Sequence, residues 1–410
     1  MNKQYFQALA ATAILAAGSA AAEAVTDTIT RAIDEGTLNF AFRYRYEFVD
    51  DGDFSKDANA NTLKSRLSFA PKFDGDWSFL LEVDDVRHLG ADTFNSTRND
   101  RPARPPVLDP QGTDLNQLLV RYKGFDKTEL VFGRQRINRG NQRYVGGVGW
   151  RQNEQTFDSV SASYGQGTAF QAFYSYVFQV NRIYGPEQGT PPADLNSKTH
   201  LLDGRYSFSK ALNLGGYVYL MDFDDADSLS NSTLGIRLDG GLPLAEDLKL
   251  DYVAEFARQG DYGDNPVSYD ADYYLLEATL GWADYNVLAG YEVLGGNDSP
   301  GGGFRTPLAT LHAFQGWADR FAVASGAGLD QGIEDFYVGV GAKLFGGQFL
   351  LRYHDFGAEQ GSSTLGTEFD ASASWSFTDH YGVLVKWASY DADSYSFDLS
   401  KFWLQLTANF

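Results

Sequence analysis

The chain of 410 residues contains no cysteine. That excludes a disulfide scaffold, a thiolate zinc site and a cysteine nucleophile. Positive charge is scarce as well, with 33 Lys and Arg against 54 Asp and Glu and a formal charge of −21. A nucleic-acid binder needs the opposite balance, so no nucleic-acid partner is expected. Long apolar runs are missing too. Beyond the N-terminus nothing approaches the roughly 18 consecutive apolar residues of a spanning helix, which excludes a helical membrane protein. The mean hydropathy of −0.33 points the same way. A transmembrane barrel escapes this exclusion, because strand alternation hides its apolar half.

What is present starts at the N-terminus. Lys3 precedes an apolar run over residues 8–17, then Gly18 and Ser19, then the small exit Ala20, Ala21 and Ala22. This pattern reads as a secretory signal peptide over residues 1–22, too short to span a membrane. Cleavage there removes Lys3 and takes the formal charge from −21 to −22. Residues 23–36 read as a short periplasmic lead, helical around Ile29 to Ile33, and residues 37–410 as one barrel.

Period-2 alternation carries the fold. Phe40, Phe42, Tyr44, Tyr46 and Phe48 share one face, while Asn39, Ala41, Arg43, Arg45 and Glu47 share the other. In a barrel the aromatic face meets lipid and the charged face lines the lumen. Seventeen further runs follow, at about 62–73, 77–88, 114–123, 128–136, 156–165, 168–180, 199–208, 213–223, 232–240, 247–258, 271–282, 285–295, 334–345, 348–356, 367–377, 381–390 and 399–410. Most are long enough to cross the hydrocarbon layer at a tilt. Their connections alternate strictly between tight turns rich in Gly, Asp and Lys and long loops such as 89–113 and 296–333. That asymmetry predicts an all-β, antiparallel transmembrane barrel of about 18 strands, with short periplasmic turns and long extracellular loops.

Aromatics are expected in two girdles. Phe73, Trp77, Tyr206, Phe208, Trp282, Tyr285, Phe377, Tyr381 and Phe410 flank the short turns. Tyr46, Phe48, Tyr176, Phe178, Tyr219, Phe223 and Tyr274 flank the long loops. Rings of this kind sit at headgroup depth. The last strand alternates through Phe402, Leu404, Leu406, Ala408 and Phe410. It resembles the signal read by the outer-membrane barrel assembly machinery, an expected partner alongside outer-membrane lipid and lipopolysaccharide.

A lumen of this width cannot be filled by side chains, so inward charges carry the function. On strand phase they include Arg43, Arg45, Arg66, Arg121, Arg205, Arg237, Arg352, Glu82 and Glu277. Both signs occur, and most are expected to pair across strands. Charge is uneven along the chain: residues 37–155 hold 18 basic and 17 acidic side chains, residues 156–410 hold 13 and 33. From Arg134 through Arg136, Arg139, Arg143 and Arg151 no acid intervenes. Arginine rings select anions or carboxylated sugars, and guanidinium forks bind carboxylates bidentately. Phase is ambiguous here, since Leu130, Phe132, Arg134 and Arg136 share parity; an outward grip on lipopolysaccharide phosphates is the other reading. In the loop 296–333, Leu308, Leu311, Phe314, Trp317 and Phe321 recur at helical spacing. Such a loop is costly to expose, so it is expected to fold inward as a constriction, with His312, Trp317, Asp319 and Arg320 near the path. The Asp-rich loops lack calcium-loop spacing, and no metal or cofactor is expected.

Two stretches resemble a known family. They are 133–158, with Arg134-Gln-Arg-Ile-Asn-Arg139 and Gly146-Gly-Val-Gly-Trp-Arg151, and 306–321, with Pro307-Leu-Ala-Thr-Leu-His312. Both look like outer-membrane porins of the alginate-export type. The resemblance implies an eighteen-stranded barrel that passes an anionic exopolysaccharide through an arginine-lined lumen. It marks Arg134, Arg136, Arg143 and Arg151 as substrate contacts. The expected function is a channel for polar, anionic solutes such as acidic oligo- or polysaccharides. The alternatives are a non-conducting adhesin or structural barrel, and an outer-membrane hydrolase. The last lacks any nucleophile–base spacing around its five histidines.

Overall fold

The computed structural model describes residues 27, 28, 30–297 and 300–410. The signal-peptide reading of 1–22 falls outside them. In the lead, residues 30–34 are helical. Ala32 is buried there and its carbonyl accepts the Lys72 N–H at 3.0 Å, so the lead closes over the first short turn.

Eighteen strands follow: β1(Thr37–Asp51), β2(Ala58–Ala70), β3(Trp77–His88), β4(Gly112–Phe125), β5(Thr128–Gln135), β6(Thr156–Tyr164), β7(Phe170–Asn181), β8(Asp194–Ser209) and β9(Leu212–Met221) form the first half. The second half is β10(Asn231–Ala245), β11(Leu248–Asp261), β12(Asp270–Trp282), β13(Tyr285–Leu294), β14(Ile333–Leu344), β15(Gly347–Gly357), β16(Thr364–Ser376), β17(Tyr381–Ala392) and β18(Leu399–Asn409). Each pairs antiparallel with its chain neighbours, and β1 closes on β18 through eleven register pairs from Ala41↔Asn409 to Asp51↔Leu399. Closure leaves no free sheet edge, the condition for crossing hydrocarbon with strands. Every strand coincides with one of the alternating runs. The main displacement is in β2, which starts at Ala58 because Asn59 pairs with Phe48 and bridges Thr93.

Alternation sorts the two faces of the wall. Along β1, Arg45 and Glu47 are sealed inside, while the aromatic positions face outward. Trp77, Tyr206, Phe208, Trp282, Tyr285, Phe377, Tyr381 and Phe410 stand exposed at the short-turn end, as the girdle reading requires. The long-loop girdle needs a correction: Tyr219 and Phe223 are buried inside the barrel. The lipid face of β9 is carried by the even positions Leu214, Val218 and Leu220, so the odd aromatics point into the lumen.

The interior is not empty. Three long loops fold into it. The β5–β6 loop (136–155) and the β13–β14 loop (295–332) run side by side, joined by a parallel bridge between Val145 and Leu308. Gly146 N–H donates to Leu308 O at 2.9 Å and Thr310 N–H to Gln142 O at 3.1 Å. The β3–β4 loop (89–111) lies over them, with Val107 and Asp109 buried. The burial of Tyr144, Val145, Phe304, Leu308, Trp317 and Phe321 shows that the apolar loop turned inward rather than toward water.

Candidate solute path and its lining

The cavity left by these loops has three parts. On the short-turn side lies a vestibule of about 1710 Å³. A side chamber of about 280 Å³ opens between the loop tip and β7–β11. A smaller chamber of about 220 Å³ lies against β12–β15. Asn141, at the tip of the β5–β6 loop, and Arg237 on β10 line all three. That pair marks where the spaces meet. Glu277 lines both the vestibule and the small chamber.

The arginine series divides between the two faces of the wall. Arg134 ends β5 on the same face as Phe132, which is 59% exposed, and forks onto Asp158 at 2.7 and 3.0 Å. It points away from the lumen. After Gln135 the strand stops, and the phase changes with it. Arg136 turns inward to Glu82 at 2.9 Å and to Glu154. Arg139 forks onto Asp203, with its Nε at 2.7 Å, and lies over the Phe173 ring at 3.9 Å. Arg143 is fully buried against Glu292 at 2.8 Å and the Phe314 ring at 4.6 Å. Arg151 is buried between Glu47 at 3.1 Å and Asp319 at 3.3 Å. These inward arginines therefore act first as struts that hold the loop in the barrel.

Most of the strand charges are compensated as well. Arg66 forks onto Asp84 with both distances 2.7 Å. Arg121 meets Glu129 at 3.1 Å, Arg205 meets Asp239 at 2.7 Å, and Arg237 pairs with Glu255. Arg43 donates to Gly149 O at 2.8 Å and Gln152 Oε1 at 2.9 Å. Arg45 is wholly buried, 4.0 Å from the Trp150 ring centroid and 3.9 Å from Asp109. Burial would raise the Glu154 carboxyl, but Lys64, Arg66 and Arg136 outweigh it and hold that loop carboxylate below its usual range.

Arg352 is the exception. It faces inward from β15 into the small chamber, and among the described residues no carboxylate lies within 4.0 Å of it. Its register partner is Asp370, but that carboxylate is turned to the loop, accepting the Trp317 N–H at 3.2 Å. The Arg352 Nε is buried without a hydrogen-bond partner. The guanidinium stands 5.9 Å from the Tyr337 ring centroid and 6.0 Å from that of Trp317. Across the chamber, Glu277 accepts only the Tyr337 hydroxyl, at 2.7 Å. Tyr337 reaches it by lying over Gly290 on the strand between, where a Cβ would overlap the ring. Tyr217 spans Gly235 to Glu255 in the same way, with its hydroxyl at 2.7 Å. Glycine is required at both crossings, because the tyrosine occupies its side-chain space.

The four loop residues expected near the path sit deeper in the wall. His312 is stacked on Trp150 with centroids 4.3 Å apart and planes at 5°. Its Nδ1 contacts Asp319 at 2.7 Å and its Nε2 accepts from Lys386 Nζ at 2.7 Å. Burial and Lys386 push His312 down to about 3 against the pull of Asp319. Burial alone would raise Asp319, but His312, Lys401 and Arg151 hold it well below the usual carboxylate range. Trp317 packs 3.6 Å from the Lys386 ammonium, and Arg320 meets Asp51 at 3.0 Å. The residues of this loop that face the small chamber are Ala313, Phe314 and Gln315. Sequence reasoning missed Phe314 and Gln315 as lining residues, and Asn141 entirely. An uncharged residue at a loop tip carries no pattern; Asn141 gains its position from the loop's inward fold. Trp150, Asp109 and Glu154 were also missed, although all three flank or contact the quoted arginines.

A closed eighteen-strand barrel, apolar outside and charged within, with loops folded into its lumen, defines the class of outer-membrane porins. The comparisons with known proteins agree. The alginate export family matches residues 35–280, and the chain belongs to that family. A search of the curated proteins returned no match. Among solved structures, OccAB4 of Acinetobacter baumannii is similar at 15% identity, covering 92% of this chain and 98% of that one with a TM-score of 0.70. OccAB2 of the same organism has 17% identity, 93% and 99% coverage and a TM-score of 0.69. OpdK of Pseudomonas aeruginosa with vanillate has 13% identity, 92% and 99% coverage and a TM-score of 0.70. The protein is an integral β-barrel of the bacterial outer membrane with the porin fold.

Proposed function

We propose that this barrel is a passive channel for small or oligomeric anionic solutes, carboxylates and acidic sugars foremost, and that it performs no enzymatic step. Residues 1–22 direct export, 23–36 form a periplasmic lead, and the strand ending at Phe410 is the assembly signal. Arg352 carries the reading. Its charge faces open space without a counterion, while Tyr337 engages the one carboxylate opposite. An anion in that chamber gains an attraction of about 1 to 4 kcal/mol, the range for unit charges near 4 Å between water-like and protein-surface screening. Tyr337 and Phe314 add apolar faces suited to the body of a carboxylate-bearing ring. The similar barrel OpdK was solved with vanillate, a small aromatic carboxylate. The inward members Arg136, Arg139, Arg143 and Arg151 shape the path and add positive potential behind their paired acids.

Planar-bilayer recording tests this. Purified protein should give discrete conductance steps with anion preference, measured from the reversal potential across a salt gradient. Arg352→Gln should lower the anion-to-cation permeability ratio several-fold. No conductance in any salt, with the loops intact or deleted, would sink the channel and favour an adhesin. An unchanged reversal potential in the variant would remove Arg352 from the path.

A further inference from the structure

The loops above the lumen carry a second set of uncompensated cations. The β3–β4 loop crosses the extracellular mouth. Near β2 it is tied by Asn59 N–H to Thr93 O at 2.9 Å and by Arg104 to Asp57 O. At its far side Arg98 donates to Glu187 O at 3.0 Å and to Pro191 O at 2.6 Å, both in the β7–β8 loop. From that loop Arg182 donates to Pro192 O at 3.3 Å and lies over the Tyr184 ring at 4.6 Å. Arg101 donates to Asp92 O at 3.3 Å. These bonds are to main-chain carbonyls, and among the described residues no carboxylate comes within 4.0 Å of Arg98, Arg101, Arg104 or Arg182. The nearby Asp92 carboxylate is taken by His88 at 2.8 Å. Most arginines of the wall, in contrast, meet an acid. Burial and the like charge of Arg98 both lower Arg182, so the fold places two cations together at a cost that no internal group offsets.

The opposite part of the mouth is acidic, with Asp222, Asp224, Asp225 and Asp227 in the β9–β10 loop and Asp261 and Asp264 near the β11–β12 loop. The mouth is therefore polarised. The underside of the crossing loop is fixed to the lumen loop, since Gln152 N–H donates to Asp109 Oδ1 at 2.7 Å and Asn153 Nδ2 to Pro110 O at 2.8 Å. Its arginines thus overlie the lumen rather than the lipid-facing wall.

We propose that Arg98, Arg101, Arg104 and Arg182 form a docking surface for an acidic saccharide chain at the extracellular mouth. Four separated guanidiniums, each partly engaged by carbonyls, suit carboxylates spaced along successive sugar units better than one dense phosphate. The surface deepens the anionic-solute reading and rests on it, but it is tested apart from the lumen. The full-length barrel in detergent, free of lipopolysaccharide, is titrated with oligogalacturonate and with a neutral malto-oligosaccharide by calorimetry. The acidic chain should bind, more weakly as salt rises, and the neutral one should not. Arg98→Gln, Arg101→Gln and Arg104→Gln together should weaken binding about tenfold, the sum of three exposed charge contacts, and the three Lys replacements should restore most of it. Heat-modifiable migration checks that each variant is a closed barrel. If the Gln variant does not close, the salt dependence of the wild type and the Lys variant decide: binding indifferent to salt overturns the proposal. Equal binding by a closed Gln variant also overturns it, as does a wild type that binds lipopolysaccharide but no oligogalacturonate. Loss of anion preference in Arg352→Gln reports on the lumen, so either reading can fail alone.

Discussion

Asp319→Asn probes what holds the lumen loops in place. The carboxylate joins four pieces of the chain at one point. Its Oδ1 meets His312 Nδ1 at 2.7 Å, and its Oδ2 meets Lys401 Nζ at 3.1 Å and Arg151 Nη2 at 3.3 Å. Arg151 keeps Glu47 at 3.1 Å if Asp319 is neutralised. Lys401, almost buried in β18, keeps no other carboxylate within 4.0 Å among the described residues. Orphaning one partner of a buried pair costs about 3–5 kcal/mol. The amide oxygen of Asn still accepts a hydrogen bond, which recovers roughly 1 kcal/mol of that. The expected penalty on the docked loop is about 2–4 kcal/mol, or a 30-fold to 1000-fold shift toward release. The barrel itself should persist, since its ladder of strand pairs is untouched. Single-channel recording should show new flicker and larger open steps, and limited trypsinolysis should cut at Arg320. Adding Lys401→Met to Asp319→Asn removes the orphan and should restore quiet openings. A single variant as quiet and as protease-resistant as the wild type, or a double variant no quieter than the single, refutes the argument that this ion cluster locks the loop.

Two further outcomes follow from the same contacts. His312 is pushed down to about 3 in the folded loop but returns to about 6.5 when released. The released state therefore binds the extra proton, so docking is strongest above pH 6.5 and weakens as pH falls toward 3. Asp319, depressed in the docked loop, works in the same direction. Channel noise should rise on acidification from pH 7 to 4, and a flat profile counts against the buried His312. At Gly316, φ is +79° and a Cβ would overlap the Glu368 carboxylate, which accepts the Ala318 N–H at 2.7 Å. Gly316→Ala should loosen the loop by about 1–3 kcal/mol, seen as faster hydrogen exchange over residues 313–321 with unchanged exchange in the strands.

The strands were legible because each alternates against a bilayer that tolerates no unsatisfied edge. A face of Phe40, Phe42 and Tyr44 beside a face of Arg43 and Arg45 leaves little freedom of orientation. Turn chemistry then supplied strand order and the segregation of long from short connections. Tyr219 and Phe223 were misplaced by the same logic applied too coarsely, since aromatic content near a loop does not state phase. The arginine segment was visible as a local charge excess, yet its division was not. Arg134 stays on the outer face as long as β5 lasts, and its neighbours turn inward once the strand ends after Gln135.

Composition and alternation sufficed for barrel, membrane and polar lumen, since those depend on local period and on what hydrocarbon permits. The pairing of charges did not follow from them. Arg352 and Arg139 look alike in sequence, both inward and basic. One is neutralised by Asp203 and the other left bare, because Asp370 is drawn to the main chain of a loop that folds back from some fifty residues earlier. Which arginine remains free to meet a solute is decided by such long-range contacts, because a carboxylate can serve only the partners that the closed barrel and its inserted loops bring within reach.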